Sequence, residues 1–310
     1  KMISKYNPKS RENVINLDGD IFKIPIKIKW IKDFNNNYKV LKANLKKLNI
    51  ELINKSFFNK GKYAHKKELG ILNSKFRTSY ELSNETLKFN SNQSIIKNTP
   101  ITFQGNIDIK PLFITADIEA KSFDLNFFLK KSFWFDEIIK SKLIFNESLN
   151  GKISIKSKKI LKNNLFDGIN LILNVNQGSF DFNDSIFISK KIGNLKILNS
   201  SFFEKDDKVF LEAKVVLEVK NKDIFYKKIL ISKQKRKDFK KFEVIFEFDT
   251  LNKNFKISKL IFFDVSNNRI YSEKIDDLVD NYANKRFDYL NSISLRNYLK
   301  EVFETYYDFG

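Results

Sequence analysis

Apolar and polar residues alternate one for one along much of this chain, the period that sends successive side chains to opposite faces of a β-strand. Between Lys23 and Trp30, Ile24, Ile26, Ile28 and Trp30 share one phase while Lys27 and Lys29 hold the other. Leu72, Phe76, Tyr80 and Leu82 likewise oppose Lys75, Arg77 and Glu81. Ile101, Phe103, Ile107 and Ile109 alternate with Thr102, Gln104, Asn106 and Asp108, and after Pro111 the phase restarts as Leu112, Ile114, Ala116, Ile118 and Ala120. The longest run puts Val209, Leu211, Ala213, Val215, Leu217 and Val219 on one face. Shorter runs join Ile153 to Ile155, Ile169 to Leu171, Leu173 and Val175, and Phe242 to Val244, Phe246 and Phe248. Turn-forming pairs fall between them: Asp18-Gly19, Ser83-Asn84, Asn150-Gly151, Asp167-Gly168, Gln177-Gly178 and Asn267-Asn268. Connections this short predict antiparallel neighbours in a meander.

Helical spacing is rarer. Residues 123–142 carry Leu125, Phe128 and Leu129, then Phe133, Trp134, Ile138 and Ile139 after a break, and residues 222–233 read as one short amphipathic helix or loop. From Ser272, Ile275, Leu278, Val279 and Tyr282 repeat at helical spacing, with Asp276, Asp277 and Asp280 near the start, where the helix dipole favours anions. A second helix is predicted from Ser292 to Tyr306, with Leu295, Leu299, Val302 and Phe303 as its stripe. The expectation is a mainly β chain, with a sheet over residues 1–270, a helical cap over 271–310, and helix making up about a quarter of the whole. A dozen or more strands with one apolar face each need a cover, and these helices are too few to supply it. Either the sheet curls on itself or a hydrophobic ligand fills it. Gly105, Ala116, Ala120 and Ala213 on the apolar face leave room in a curled sheet and equally suit a tight sandwich.

Composition narrows the chemistry. The 310 residues include 57 Lys+Arg against 37 Asp+Glu, no Cys and one His. Disulfides, Cys-ligated metals and thiol catalysis are therefore excluded. His65 has no acid or nucleophile spaced to work with it and reads as a loop residue. Asp276, Asp277 and Asp280 lack calcium-loop spacing, and phosphate-cradling and nucleophile-elbow motifs are absent. An enzyme, a cofactor and a metal are not expected. The net charge of +20 is almost all Lys, the bias an AT-rich genome imposes on any protein, so it reads first as a solvated surface. Its densest cluster, Lys233-Gln234-Lys235-Arg236-Lys237 with Lys240 and Lys241, suits phosphates of nucleic acid or lipid but reads first as a solvated loop. The chain opens on Lys and contains no apolar run of about 18 residues, so a targeting or anchoring element is expected upstream.

The segment Gly105-Asn106-Ile107-Asp108-Ile109-Lys110-Pro111-Leu112, then Ala116-Asp117-Ile118-Glu119-Ala120, then Phe123-Asp124-Leu125-Asn126-Phe127-Phe128-Leu129 resembles the C-terminal region of AsmA-family proteins. Leu149-Asn150-Gly151, Phe166-Asp167-Gly168 and Gln177-Gly178-Ser179-Phe180 extend the similarity, which covers roughly residues 100–220. The resemblance implies a long, curled, taco-shaped antiparallel β-groove that shields phospholipid acyl chains between the inner and outer membranes of a Gram-negative cell. It also implies a periplasmic setting, an inner-membrane anchor upstream, and phospholipid and bacterial membranes as partners. On that reading acyl chains lie along Ile101, Phe103, Ile107, Ile109, Ile114, Ile118, Ile153, Ile155, Leu171, Leu173, Val215, Leu217, Val244 and Phe246. Ile107→Asp or Leu217→Asp then blocks loading with the fold partly retained, whereas in a sandwich core the same change unfolds the protein.

Two other readings compete. A β-sandwich surface protein or adhesin packs its apolar faces against each other and leaves no groove. A basic nucleic-acid-binding β protein needs aromatics interleaved with Lys and Arg on an exposed face. Here the aromatics fall mainly in the apolar phase, opposite Lys, so nucleic acid is not an expected partner.

Overall fold

The structure, a computed structural model, describes residues 1–21, 24–45, 50–59, 62–71, 74–83, 85–96, 99–125, 139–142, 145–252, 254–270, 277, 279–280 and 292–307. Strand accounts for 62% and helix for 11% of the structure as described, so the chain is mainly β, as the alternation predicts. The chain divides into two compact units, residues 1–120 with 133–149, and residues 121–132 with 150–310.

The first unit is a meander of β1 (Met2–Asn7), β2 (Glu12–Ile21), β3 (Ile24–Asp33), β4 (Tyr38–Leu45), β5 (Ile50–Asn59), β6 (Lys62–Ile71), β7 (Ser74–Phe76), β8 (Ser79–Ser83), β9 (Thr86–Ile96), β10 (Thr99–Ile109) and β11 (Leu112–Ala120). Pairing is antiparallel and follows chain order, except that β7 and β8 both pair with β9 as two halves of one interrupted strand. The break at Arg77, whose backbone N–H donates to the Ser94 hydroxyl (3.0 Å), interrupts the single strand that the alternation from Leu72 to Leu82 predicts. Asp18-Gly19 is no turn either: both residues lie inside β2, opposite Lys27 and Ile26. The Lys27 ammonium, 4.0 Å from the Asp18 carboxylate, gives this poor strand former a cross-strand partner. The turn between β3 and β4 is closed by Asp33, whose carboxylate accepts from the Asn35 and Asn36 amides. Those bonds, the Asn36 backbone first, hold it below the ordinary carboxylate range.

The hairpin of β10 and β11 has the register its alternation implies, with Phe103 opposite Ile118 and Ile107 opposite Ile114. Gly105, opposite Ala116, leaves no empty space: a Cβ there meets the Thr115 carbonyl oxygen at 2.1 Å and the Phe89 ring at 2.5 Å. The Phe89 ring fills the volume a side chain would need. Gly105→Ala is therefore expected to destabilise the first unit by about 1–3 kcal/mol, the usual cost of overpacking, measurable as a lower denaturant midpoint.

The second unit repeats the plan with β12 (Asn150–Ser157), β13 (Gly168–Asn176), β14 (Ser179–Asp181), β15 (Ile186–Ser189), β16 (Gly193–Lys205), β17 (Lys208–Val219), β18 (Lys241–Asp249), β19 (Asn254–Phe263) and β20 (Arg269–Ile270). Here β14 and β15 pair with opposite ends of β13, and the remaining strands pair antiparallel in chain order. Gln177 and Gly178 turn the β13–β14 hairpin, both at positive φ (46° and 80°), the geometry of a twist-matched two-residue loop. Asn150-Gly151 is strand, not turn, because Asn150 instead closes that neighbouring hairpin, its Oδ1 accepting from the Gln177 amide at 2.9 Å.

Among the described residues two α-helices accompany this sheet. Helix α1 (Lys222–Lys228) starts at Asn221, whose side chain caps Ile224, and α2 (Ser292–Tyr307) extends the stripe that the sequence predicts to Tyr306. The first predicted cap helix, from Ser272, and most of the helical stretch 123–142 lie outside the described residues. The unit's core joins Phe225, Tyr226, Ile229 and Phe239 to Leu217, Phe242, Leu260 and Phe262 of the sheet and to Tyr298, Val302 and Phe303 of α2.

Candidate functional site

One face of the second sheet is apolar across four strands because register and bulges keep it so. Val215 stands opposite Ile197 and Val244, Leu217 opposite Leu195 and Phe242, and Leu211 opposite Phe202 and Phe248. Strict alternation along β16 puts Phe202 on the other face from Ile197. A bulge between Ile197 and Asn199 shifts the phase, so both residues face the same side. A second bulge, at Ile245 and Phe246, brings Ile257 opposite Phe246 on the same face as Leu260 and Phe262.

This face is shut at two places. Near the β17–β18 connection, Phe225, Phe239, Phe242, Phe262 and Phe303 form a ring cluster with centroids 5.0 to 6.2 Å apart. Near the opposite end, Phe180, Phe182 and Phe202 pack with centroids 5.0 to 5.7 Å apart. Between the clusters lies a partly enclosed cavity of about 290 Å³. Its floor includes Leu171, Leu195, Ile197, Val215, Val244 and Phe246, and Phe225, Tyr298 and Leu299 come in from the helices. Among the described residues every lining side chain is aliphatic or aromatic, and the Tyr298 hydroxyl is the one side-chain polar group.

The charges sit on the other face. Lys214 meets Glu243 at 2.8 Å and Lys241 meets it at 3.4 Å, while Lys196 pairs with Glu218 at 3.1 Å. What the described lining offers a guest is removal of apolar surface from water. Among the described residues no cluster of three or more His, Asp or Glu side chains is arranged to hold a metal ion.

Known proteins add nothing to this geometry. No family profile, curated protein or solved structure matches the chain.

Of the fourteen residues expected along a groove, Leu171, Val215, Leu217, Val244 and Phe246 line the cavity. Ile153 and Ile155, opposite Leu173 and Leu171, belong to the same sheet but not to the lining. Ile101, Phe103, Ile107, Ile109, Ile114 and Ile118 belong to the first unit, where Ile101 is buried, Ile109 is 48% exposed and the other four are half-buried. Leu217 both lines the cavity and, at 4% exposure, belongs to the buried core cluster, so a charge there is expected to lower stability as well as loading. The lining residues that alternation misses include Leu195 and Ile197, hidden by the β16 phase shift, and Phe225 and Tyr298, which arrive from distant helices. The Leu299 stripe is the one sequence signal that points to α2.

Proposed function

We propose that the chain is a non-enzymatic lipid-binding protein whose second unit holds an acyl chain in the apolar cavity. The observation that carries the reading is the lining: some 290 Å³ of space bounded by hydrocarbon side chains, where water has almost nothing to bond to. At the ~30 Å³ share of a water-sized group, that space accepts about ten methylenes. At about 0.8 kcal/mol each, burying them yields a gross gain on the order of 8 kcal/mol, before ordering costs.

The setting comes from the resemblance to AsmA-family proteins, which supports a segment of an envelope lipid-transport protein in the periplasm, anchored upstream at the inner membrane. On that reading the half-buried apolar face of Phe103, Ile107, Ile114 and Ile118 is a shielding surface of the first unit's own, and a curled groove is the form that the resemblance implies for such a sheet. No helix of the described residues is long and apolar enough to cross a membrane.

A fluorescent fatty acid whose emission rises in apolar surroundings tests the reading. The expected result is saturable binding at one site per chain, reversed by unlabelled long-chain fatty acid. Linear, non-displaceable uptake, or none by delipidated protein, overturns it.

A further inference from the structure

The connections of the second unit are sharply unequal in charge. One end of its sheet carries residues 158–167, 190–192, 220–240 and 264–268, which together hold fourteen Lys and Arg against four Asp. The other end is turned by residues 177–178, 206–207 and 250–252, with two Asp and no Lys or Arg. The basic connections abut one another along the edge. The Asp167 amide donates to the Ile188 carbonyl (2.8 Å), Lys220 to Ile192 (2.7 Å), Val219 to Lys240 (3.0 Å) and Lys240 to Phe263 (2.9 Å).

The acids present mostly serve to fix the loops. Asp238 takes Lys222, Asp223 takes Arg236 at 3.0 Å, and the Asp167 carboxylate accepts from the Lys190 backbone. Lys158, Lys159, Lys190, Lys191, Lys227 and Lys228 are exposed, and among the described residues none of their ammonium groups is ion-paired.

Leu230 projects from the middle of this field. It follows the C-terminus of α1, where the Ile231 amide donates to Tyr226 (2.9 Å) and the Leu230 amide to Lys227 (3.3 Å), closing the helix in a Schellman-type turn. That turn needs a left-handed residue, usually Gly or Asn. Leu230 occupies it at φ 63° and is 57% exposed, while its neighbours Ile229 and Ile231 are buried. A large aliphatic side chain is thus held out in water, in an unfavourable backbone conformation, between Lys227, Lys228 and Lys233.

We infer that this basic end docks on an anionic lipid surface, with Leu230 entering among the headgroups and the lysines meeting lipid phosphates. An apolar tip ringed by cations gains from both acyl contact and surface potential. A nucleic acid is the weaker match, because stacking on bases needs exposed aromatics, and Phe225, Tyr226 and Phe239 of this region are 1% exposed. The docking does not require an occupied cavity, so lipid-stripped protein tests it equally well.

The experiment is co-sedimentation of the full chain with phosphatidylglycerol-containing vesicles and with pure phosphatidylcholine vesicles, at low and high salt. Binding is expected to the anionic vesicles alone and to collapse as salt screens it. At about fivefold per lysine, the quadruple variant K190E/K191E/K227E/K228E loses at least a hundredfold. Leu230→Asn, which suits the left-handed turn and preserves the fold by circular dichroism, loses about three- to tenfold. The control K5E/K9E/K29E/K42E carries the same charge change in the first unit and retains most binding. Equal losses in both quadruple variants assign the effect to net charge and overturn the inference. So does undiminished binding of L230N, equal binding to phosphatidylcholine, or tighter binding to single-stranded DNA than to vesicles.

Discussion

Phe303→Ala is expected to destabilise the second unit by about 3–5 kcal/mol, as large-to-small changes at closed aromatic sites do. The ring is 1% exposed and lies 5.0 to 5.7 Å, centroid to centroid, from Phe225, Tyr226, Phe239, Phe242 and Phe262. No neighbour can move far enough to fill the hole, because each already packs against two or more of the others. For a unit of this size the loss corresponds to a fall in melting temperature on the order of 10 °C, readable by calorimetry. A shift under about 1 °C would mean that α2 does not seat on the sheet, and the closed end of the apolar face would then be open.

A second contrast follows from the same face. Val244→Asp is expected to abolish fatty-acid binding while costing only about 1–3 kcal/mol, since Val244 is half-buried on the floor of the partly open cavity and the carboxylate can keep part of its water. Phe242→Asp, two residues away on the same strand, places its charge at 5% exposure within the ring cluster and is expected to unfold the unit. The two variants separate ligand space from core: probe fluorescence and far-UV circular dichroism fall together in Phe242→Asp and part company in Val244→Asp. Loss of secondary structure in both would mean that the space at Val244 is ordinary packing.

Much of the architecture is legible in the alternation itself. The two-residue period marks β10, β11, β13, β17 and β18, and opposing the apolar phases of adjacent runs reproduces pairs such as Ile107 with Ile114 and Val215 with Val244. Period-two reasoning fails where the backbone spends an extra residue. The bulge at Ile197 and Asn199 breaks the phase of β16, so Leu195 and Phe202 look like residues of opposite faces. Asp18-Gly19 and Asn150-Gly151 mislead in the opposite direction, because a charge pair and a side-chain cap let turn-type residues sit in strands.

The cavity is less legible still. Its limits depend on where Phe225 and Phe303, more than seventy residues apart in sequence, meet over Phe242, and on how Phe180, Phe182 and Phe202 converge at the other end. Nothing local in the chain encodes those meetings. The imbalance between the two ends of the second sheet is equally invisible in a net charge of +20 until the strand order sorts the loops.

The most direct test of a hydrocarbon guest is the mass of the purified native protein measured without denaturation. A population heavier than the chain by the mass of one lipid, reduced to the bare chain by organic extraction and absent in Val244→Asp, is the expected result. A wild-type protein that carries no lipid as isolated, and gains none after incubation with phospholipid or fatty acid, would contradict it.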